Sequence, residues 1–147
     1  MAKAKSSLFT LTQVVVTNFS ISREPANQGI FNIDIKPSGL INKTNKDFLL
    51  TLEVNIKDNP ETFNIDLTVL GYFKFKDIDD DVTLGDYFYT NAPALVFPFI
   101  RSYIMSVTAL SGLETVVLPI MNLVGLKAEL KSNTITVEAE EDNLLLN

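Results

Sequence analysis

Four stretches of this chain alternate apolar and polar residues with a period of two, and nothing else in it restricts the fold as much. In the first, Phe9, Leu11, Val15, Phe19 and Ile21 share one parity, with Thr10, Thr12, Asn18 and Ser20 on the other. The second sets Phe31, Ile33 and Ile35 against Asn32, Asp34 and Lys36. The third sets Leu50, Leu52, Val54 and Ile56 against Thr51, Glu53, Asn55 and Lys57. The fourth sets Phe63, Ile65, Leu67 and Val69 against Asn64, Asp66 and Thr68, and Phe73 and Phe75 resume its parity. Successive side chains of a strand point to opposite faces, so each run predicts a strand with one buried and one wet face. The turn residues Asp58-Asn59-Pro60-Glu61 predict a hairpin between strands three and four. Asn42–Asp47 joins strands two and three, and the Arg23–Gly29 loop is long enough for a crossover before strand two. Gly71 predicts a bulge or bend in the fourth strand. The expected fold is α+β: a four-stranded antiparallel sheet with one apolar face, then a long apolar helix and a short C-terminal helix.

The second half supplies the cover. Val82–Tyr89 is expected as a short turn or helix, and the main helix over Pro93–Leu110, with Asn91 as N-cap and Pro93 in the first turn. Leu95, Phe99, Tyr103 and Val107 recur at four-residue spacing, with Ile100 and Ile104 beside them, and Ser111-Gly112 ends the helix. Arg101 is its only charge, so a helix apolar almost all round must meet the sheet with one face and something else with another. The next segment, Leu113–Met121, is extended and strongly apolar, and must lie on the domain or line a groove. Leu123–Leu130 predicts a short second helix. Residues 1–132 are expected to form one domain and 133–147 an acidic, flexible tail, whose Leu144–Leu146 finish offers an apolar docking element.

Composition limits function. With 147 residues, 46% hydrophobic and 20% charged, the chain can bury a core. A net charge of −6 argues against a nucleic-acid partner. There is no Cys and no His, which removes thiol chemistry and the usual metal ligand and general base, so neither an enzyme nor a cofactor is expected. The acidic run Asp77–Asp81 lacks the calcium-loop pattern and is expected to be solvated, and a ligand site on Asp79–Asp81 would need a second polar cluster. The start MAKAKSSLF has no apolar run of signal-peptide length, and Ala94–Leu110 is too short and too interrupted for roughly 20 clean spanning residues. A soluble, cytoplasmic protein without stable membrane insertion is expected.

The order of elements and the segment Asn91–Arg101, NAPALVFPFIR, resemble the SecB family of export chaperones. Pro93, Phe97, Pro98, Phe99 and Arg101 match that family's pattern position by position. Glu61-Thr62, Gly71-Tyr72-Phe73 and Leu118-Pro119-Ile120 add to a likeness that spans about Phe9 to Leu126. The resemblance implies a homotetramer that holds unfolded polypeptide in apolar grooves without ATP. It makes Phe97, Phe99, Val117, Leu118 and Ile120 the candidate peptide-binding groove, to which Met121 is added because a methionine surface adapts to varied partners. The chain departs from the family at Met121-Asn122, and at Asn18 and Ser22, where classical members present acids to the SecA motor. Asp66 is the retained acid and the candidate motor contact. Three roles stay open: an export holdase, a SecB-like chaperone of an antitoxin in a toxin–antitoxin system, and a structural or adaptor oligomer whose helix serves only subunit contact.

Overall fold

The computed structural model describes residues 9–24, 31–58, 62–76, 81–112 and 114–138. In chain order the elements are β1 (Phe9–Arg23), β2 (Phe31–Asn42), β3 (Asp47–Asp58), β4 (Phe63–Phe75), α1 (Asp81–Ala109), a 3-10 turn (Val124–Leu126), α2 (Lys127–Ser132) and β5 (Thr134–Val137). The four expected strands are present, and β3 and β4 pair as the expected hairpin. The sheet, however, has five strands and is mixed, in the order β1-β4-β3-β2-β5. β5 lies parallel to β2, pairing Gly39–Asn42 with Thr134–Val137. Thr-Ile-Thr-Val is rich in β-branched side chains, and the free edge of β2 offers it hydrogen bonds. The segment expected to be tail from residue 133 therefore starts as a strand, and residues 139–147, with Leu144–Leu146, lie outside the described residues.

β1 reaches the far edge, beside β4, so the chain crosses over between β1 and β2 as the long Arg23–Gly29 connection suggests. Two register shifts in β1, between Leu11 and Gln13 and between Val16 and Asn18, change which residues face the core. Each inserts one residue and reverses the alternation. Val14 and Val16 consequently pack towards the core, and Val15, expected there, lies on the opposite face across from Leu70. The expected bulge at Gly71 is not where the irregularity sits. β4 runs through Gly71 in register with Val14 and Leu50, and what requires glycine is the helix above it. A methyl group at position 71 would lie 2.7 Å from Cγ2 of Val96, a stiff β-branched side chain on α1.

That helix starts well before Pro93. α1 runs 29 residues with Pro93 and Pro98 inside it, so Val82–Tyr89 is its first part and Asn91 is an exposed residue within it, not a cap. Each proline removes one helical donor, a loss the surrounding packing must offset. Phe88, Ala92, Val96, Ile100, Ile104 and Thr108 are fully buried at four-residue spacing, and this ridge seats α1 on the sheet. The line Leu95, Phe99 instead faces outward. Phe88 is the hub of the aromatic core: it stacks on Phe48 (centroids 4.7 Å, planes 9° apart) and meets Phe9 and Phe75 edge-on at 5.2 Å. The helix closes as the sequence predicts. Ser111 returns its amide and hydroxyl to the Thr108 carbonyl at 3.1 and 2.6 Å, and Gly112 takes the left-handed φ of +81°.

Because α1 is longer than expected, the length argument against a spanning helix falls. Phe88–Ala109 is long and apolar enough to cross a membrane, by length and composition only. In this fold one side of that window is committed to the sheet. The acidic run at 77–80 lies outside the described residues, and among the described ones no three His, Cys, Asp or Glu side chains group as metal ligands.

Polar side chains fix the loop bases. Asn42, fully buried, accepts the amides of Thr44 (3.0 Å) and Asn45 (3.1 Å) and so shapes the β2–β3 turn. Asp58, also buried, accepts the Phe63 amide at 2.9 Å and the Thr62 hydroxyl, clamping the β3–β4 turn. Asp47 is buried on the outer face of the sheet and pairs with Lys74. Next to β5, the Asn133 amide group donates to the Pro37 carbonyl at 3.1 Å. Burial pushes the Tyr89 hydroxyl of α1 above its ordinary pKa, against the opposing pull of a hydrogen bond from Thr134.

Candidate functional site

After Gly112 the chain turns back along α1 as an extended segment. Val116 lies beside Thr108, Leu118 beside Arg101, and residues 120–124 beside Thr90–Phe97, so the segment runs antiparallel to the helix. Its side chains differ in environment. Val116 and Leu118 are buried in the core, whereas Val117 is 58% and Ile120 87% exposed. Between helix and segment lies a cavity of about 280 Å³, lined by Thr90, Ala94, Phe97, Pro98 and Arg101 on one side and Ile120–Val124 on the other. Pro98 has no amide hydrogen to give to the Ala94 carbonyl, so this stretch of helix wall lacks one of its ordinary hydrogen bonds.

Of the six groove residues expected, Phe97, Ile120 and Met121 line this cavity. Leu118 is buried beneath it. Val117 is exposed and not part of the lining, and Phe99, 53% exposed, sits on the outward side of α1 with Leu95. Sequence reasoning missed Thr90, because it started the helix too late, Ala94, which it placed in the helix without a role, and Leu123 and Val124, because it assigned them to a second helix. Arg101 was seen as an isolated charge, whereas its Nε donates to the Leu118 carbonyl at 3.1 Å.

The opposite face of the sheet carries a larger, shallow concavity of about 730 Å³. Asp34, Glu53, Asp66 and Glu129 contribute four carboxylates to it against the single lysine Lys36, with Asn18, Ser20, Asn55 and Thr68 between them. The Asp66 carboxylate is held by the side-chain amides of Asn55 (2.7 Å) and Asn64 (2.9 Å). Ser22 is exposed on β1 opposite Asn64. This face is polar and acidic where the groove is apolar, so one protomer offers two surfaces of opposite chemistry.

A family model described as preprotein translocase subunit SecB matches residues 4–133, nearly all of the chain. The chain belongs to the SecB family. SecB family proteins are chaperones, not enzymes. A protein-export protein SecB of Bartonella quintana is 36% identical over 91 residues, which is 61% of this chain and 56% of that protein. The chain thus spans about half the length of that curated relative. A SecB-like chaperone of Mycobacterium tuberculosis, solved in complex with a ChAD peptide from an antitoxin, superposes with a TM-score of 0.64 at 15% identity. The likeness covers 77% of this chain and 87% of that one, and at this identity it is a likeness of fold.

Proposed function

We propose that this SecB-family chain is a holdase chaperone that binds unfolded polypeptide in the groove between α1 and the returning segment, without ATP and in support of protein export. The observation that carries this reading is the groove itself: an apolar channel with an exposed wall residue, Ile120, in a chain with neither His nor Cys. Apolar burial is non-directional, at about 25 cal/mol per Å², so such a channel accepts clients that share hydrophobicity but no fixed sequence. Met121 adds a side chain that adapts its shape to different clients.

Two further surfaces complete the reading. The outward side of α1 exposes Leu95 and Phe99 one turn apart, which suits contact with other copies in a homotetramer better than the groove. The acidic concavity around Asp66 suits a basic partner, such as the SecA motor, although Asn18 and Ser22 contribute no charge. The protein acts in the cytoplasm, as one domain. A second reading, guarding an antitoxin, draws support from the fold shared with the chaperone solved on an antitoxin peptide. It would use the same groove.

The test is light scattering from a chemically denatured client diluted into buffer with no nucleotide. Stoichiometric amounts of the protein are expected to suppress aggregation of unrelated clients. Suppression confined to an antitoxin would favour the second reading. No suppression and no binding across a broad panel, with the oligomer intact, would leave only the adaptor role.

A further inference from the structure

Residues 114–121 have neither helix nor strand structure, yet at their centre Val116 and Leu118 are buried on either side of an exposed Val117. An irregular segment carrying Val117 and Ile120 into solvent gains nothing from those residues by itself and loses conformational entropy on being ordered. Two hydrogen bonds from α1 hold it. Thr108 is fully buried, and its hydroxyl works in both directions: it donates to the Ile104 carbonyl at 2.7 Å and accepts the Val116 amide at 2.9 Å. Two turns earlier on the same side of the helix, Arg101 donates through Nε to the Leu118 carbonyl at 3.1 Å. Together they fix the first and third residues of Val116–Leu118, and leave the second, Val117, pointing out.

We infer that Thr108 and Arg101 are positioning residues that pre-organise the outer wall of the groove, an inference that rests on the holdase reading above. Thr108 touches no client, because it is buried beneath the segment. It acts by keeping Val117–Ile120 extended before a client arrives, so that binding does not have to supply the ordering entropy of the wall. Only a side chain that both donates and accepts can serve at this position. Serine can replace threonine there, whereas valine, of nearly the same shape, would leave the Val116 amide buried without a partner.

The test compares full-length Thr108→Val, Thr108→Ser and Arg101→Met with the unchanged protein in two measurements. One is affinity for reduced, carboxymethylated lactalbumin, which stays unfolded. The other is amide hydrogen exchange. Thr108→Val is expected to weaken binding about three- to tenfold and to speed exchange at residues 116–118. Exchange in β3 should stay as it was, and Thr108→Ser should bind close to the unchanged protein. Equal affinity in Thr108→Val, or a Thr108→Ser as weak as it, would overturn the inference. If Thr108→Val loosens β3 as well, Arg101→Met decides. Weaker binding with faster exchange at Leu118–Ile120 supports positioning, while unchanged affinity, or weaker binding with unchanged exchange, overturns it. Should the unchanged protein fail to bind the probe, the holdase reading fails. The exchange comparison would still show whether the two bonds hold the segment.

Discussion

Phe88→Ala is expected to cost about 3–5 kcal/mol of stability, the usual range for truncating a fully buried phenylalanine. Three rings touch Phe88, and a void left there cannot close easily, because Phe48 and Phe75 are held by paired strands and Phe9 by the edge strand. Phe88 itself lines no part of the groove cavity, so the substitution acts on the fold and not on the lining. A domain with about 5–15 kcal/mol in total would retain little margin. Urea melts at a fixed protomer concentration check the value, since self-association would otherwise add to the apparent stability. A change under about 1 kcal/mol would mean that the seat of α1 on the sheet lies elsewhere.

Ile120→Asp is expected to do the opposite, sparing the fold and removing the function. The side chain is 87% exposed, so its replacement should move stability by no more than about 0.5 kcal/mol. In the groove, however, a carboxylate must be desolvated against Phe97 and Met121 whenever a client's apolar side chain enters. Client affinity should fall about tenfold or more, the loss expected of a residue at the centre of an apolar contact. Native mass measured alongside distinguishes the adaptor role, in which the oligomer rather than client binding would change.

The strands could be read because one buried and one wet face leave a period of two in the sequence, with nothing in β2, β3 or β4 to disturb it. β1 shows the limit of that signal. Its two inserted residues, near Thr12 and Thr17, look like ordinary polar positions, and only the pairing with β4 reveals that Val15 faces away from the core. The start of α1 was misplaced for a chemical reason. Pro93 after Asn91 has the composition of a helix start, but a proline is also tolerated inside a helix when packing holds the chain, and Phe88 and Ala92 already carry the four-residue spacing upstream. β5 is four residues long, too short for its β-branched run to announce a strand without the free edge of β2 that it pairs with. For the groove, the likeness at Phe97 and Leu118-Pro119-Ile120 named residues on the two elements between which the cavity lies. It could not separate Phe99, which faces outward, from Phe97, which faces the cavity. The bonds from Thr108 and Arg101 depend on the path of the returning segment, so neither residue could be assigned this part from its type alone.

The absence of cysteine from the chain allows a single labelled site to test where clients bind. Ile120→Cys carrying an environment-sensitive fluorophore places a reporter on the exposed wall of the groove, and Glu53→Cys places the same reporter on the acidic outer face of the sheet. On addition of reduced, carboxymethylated lactalbumin without nucleotide, emission from position 120 should shift to the blue and brighten, while position 53 stays unchanged. No response at position 120, or an equal response at both, would contradict a client-binding groove between α1 and the returning segment.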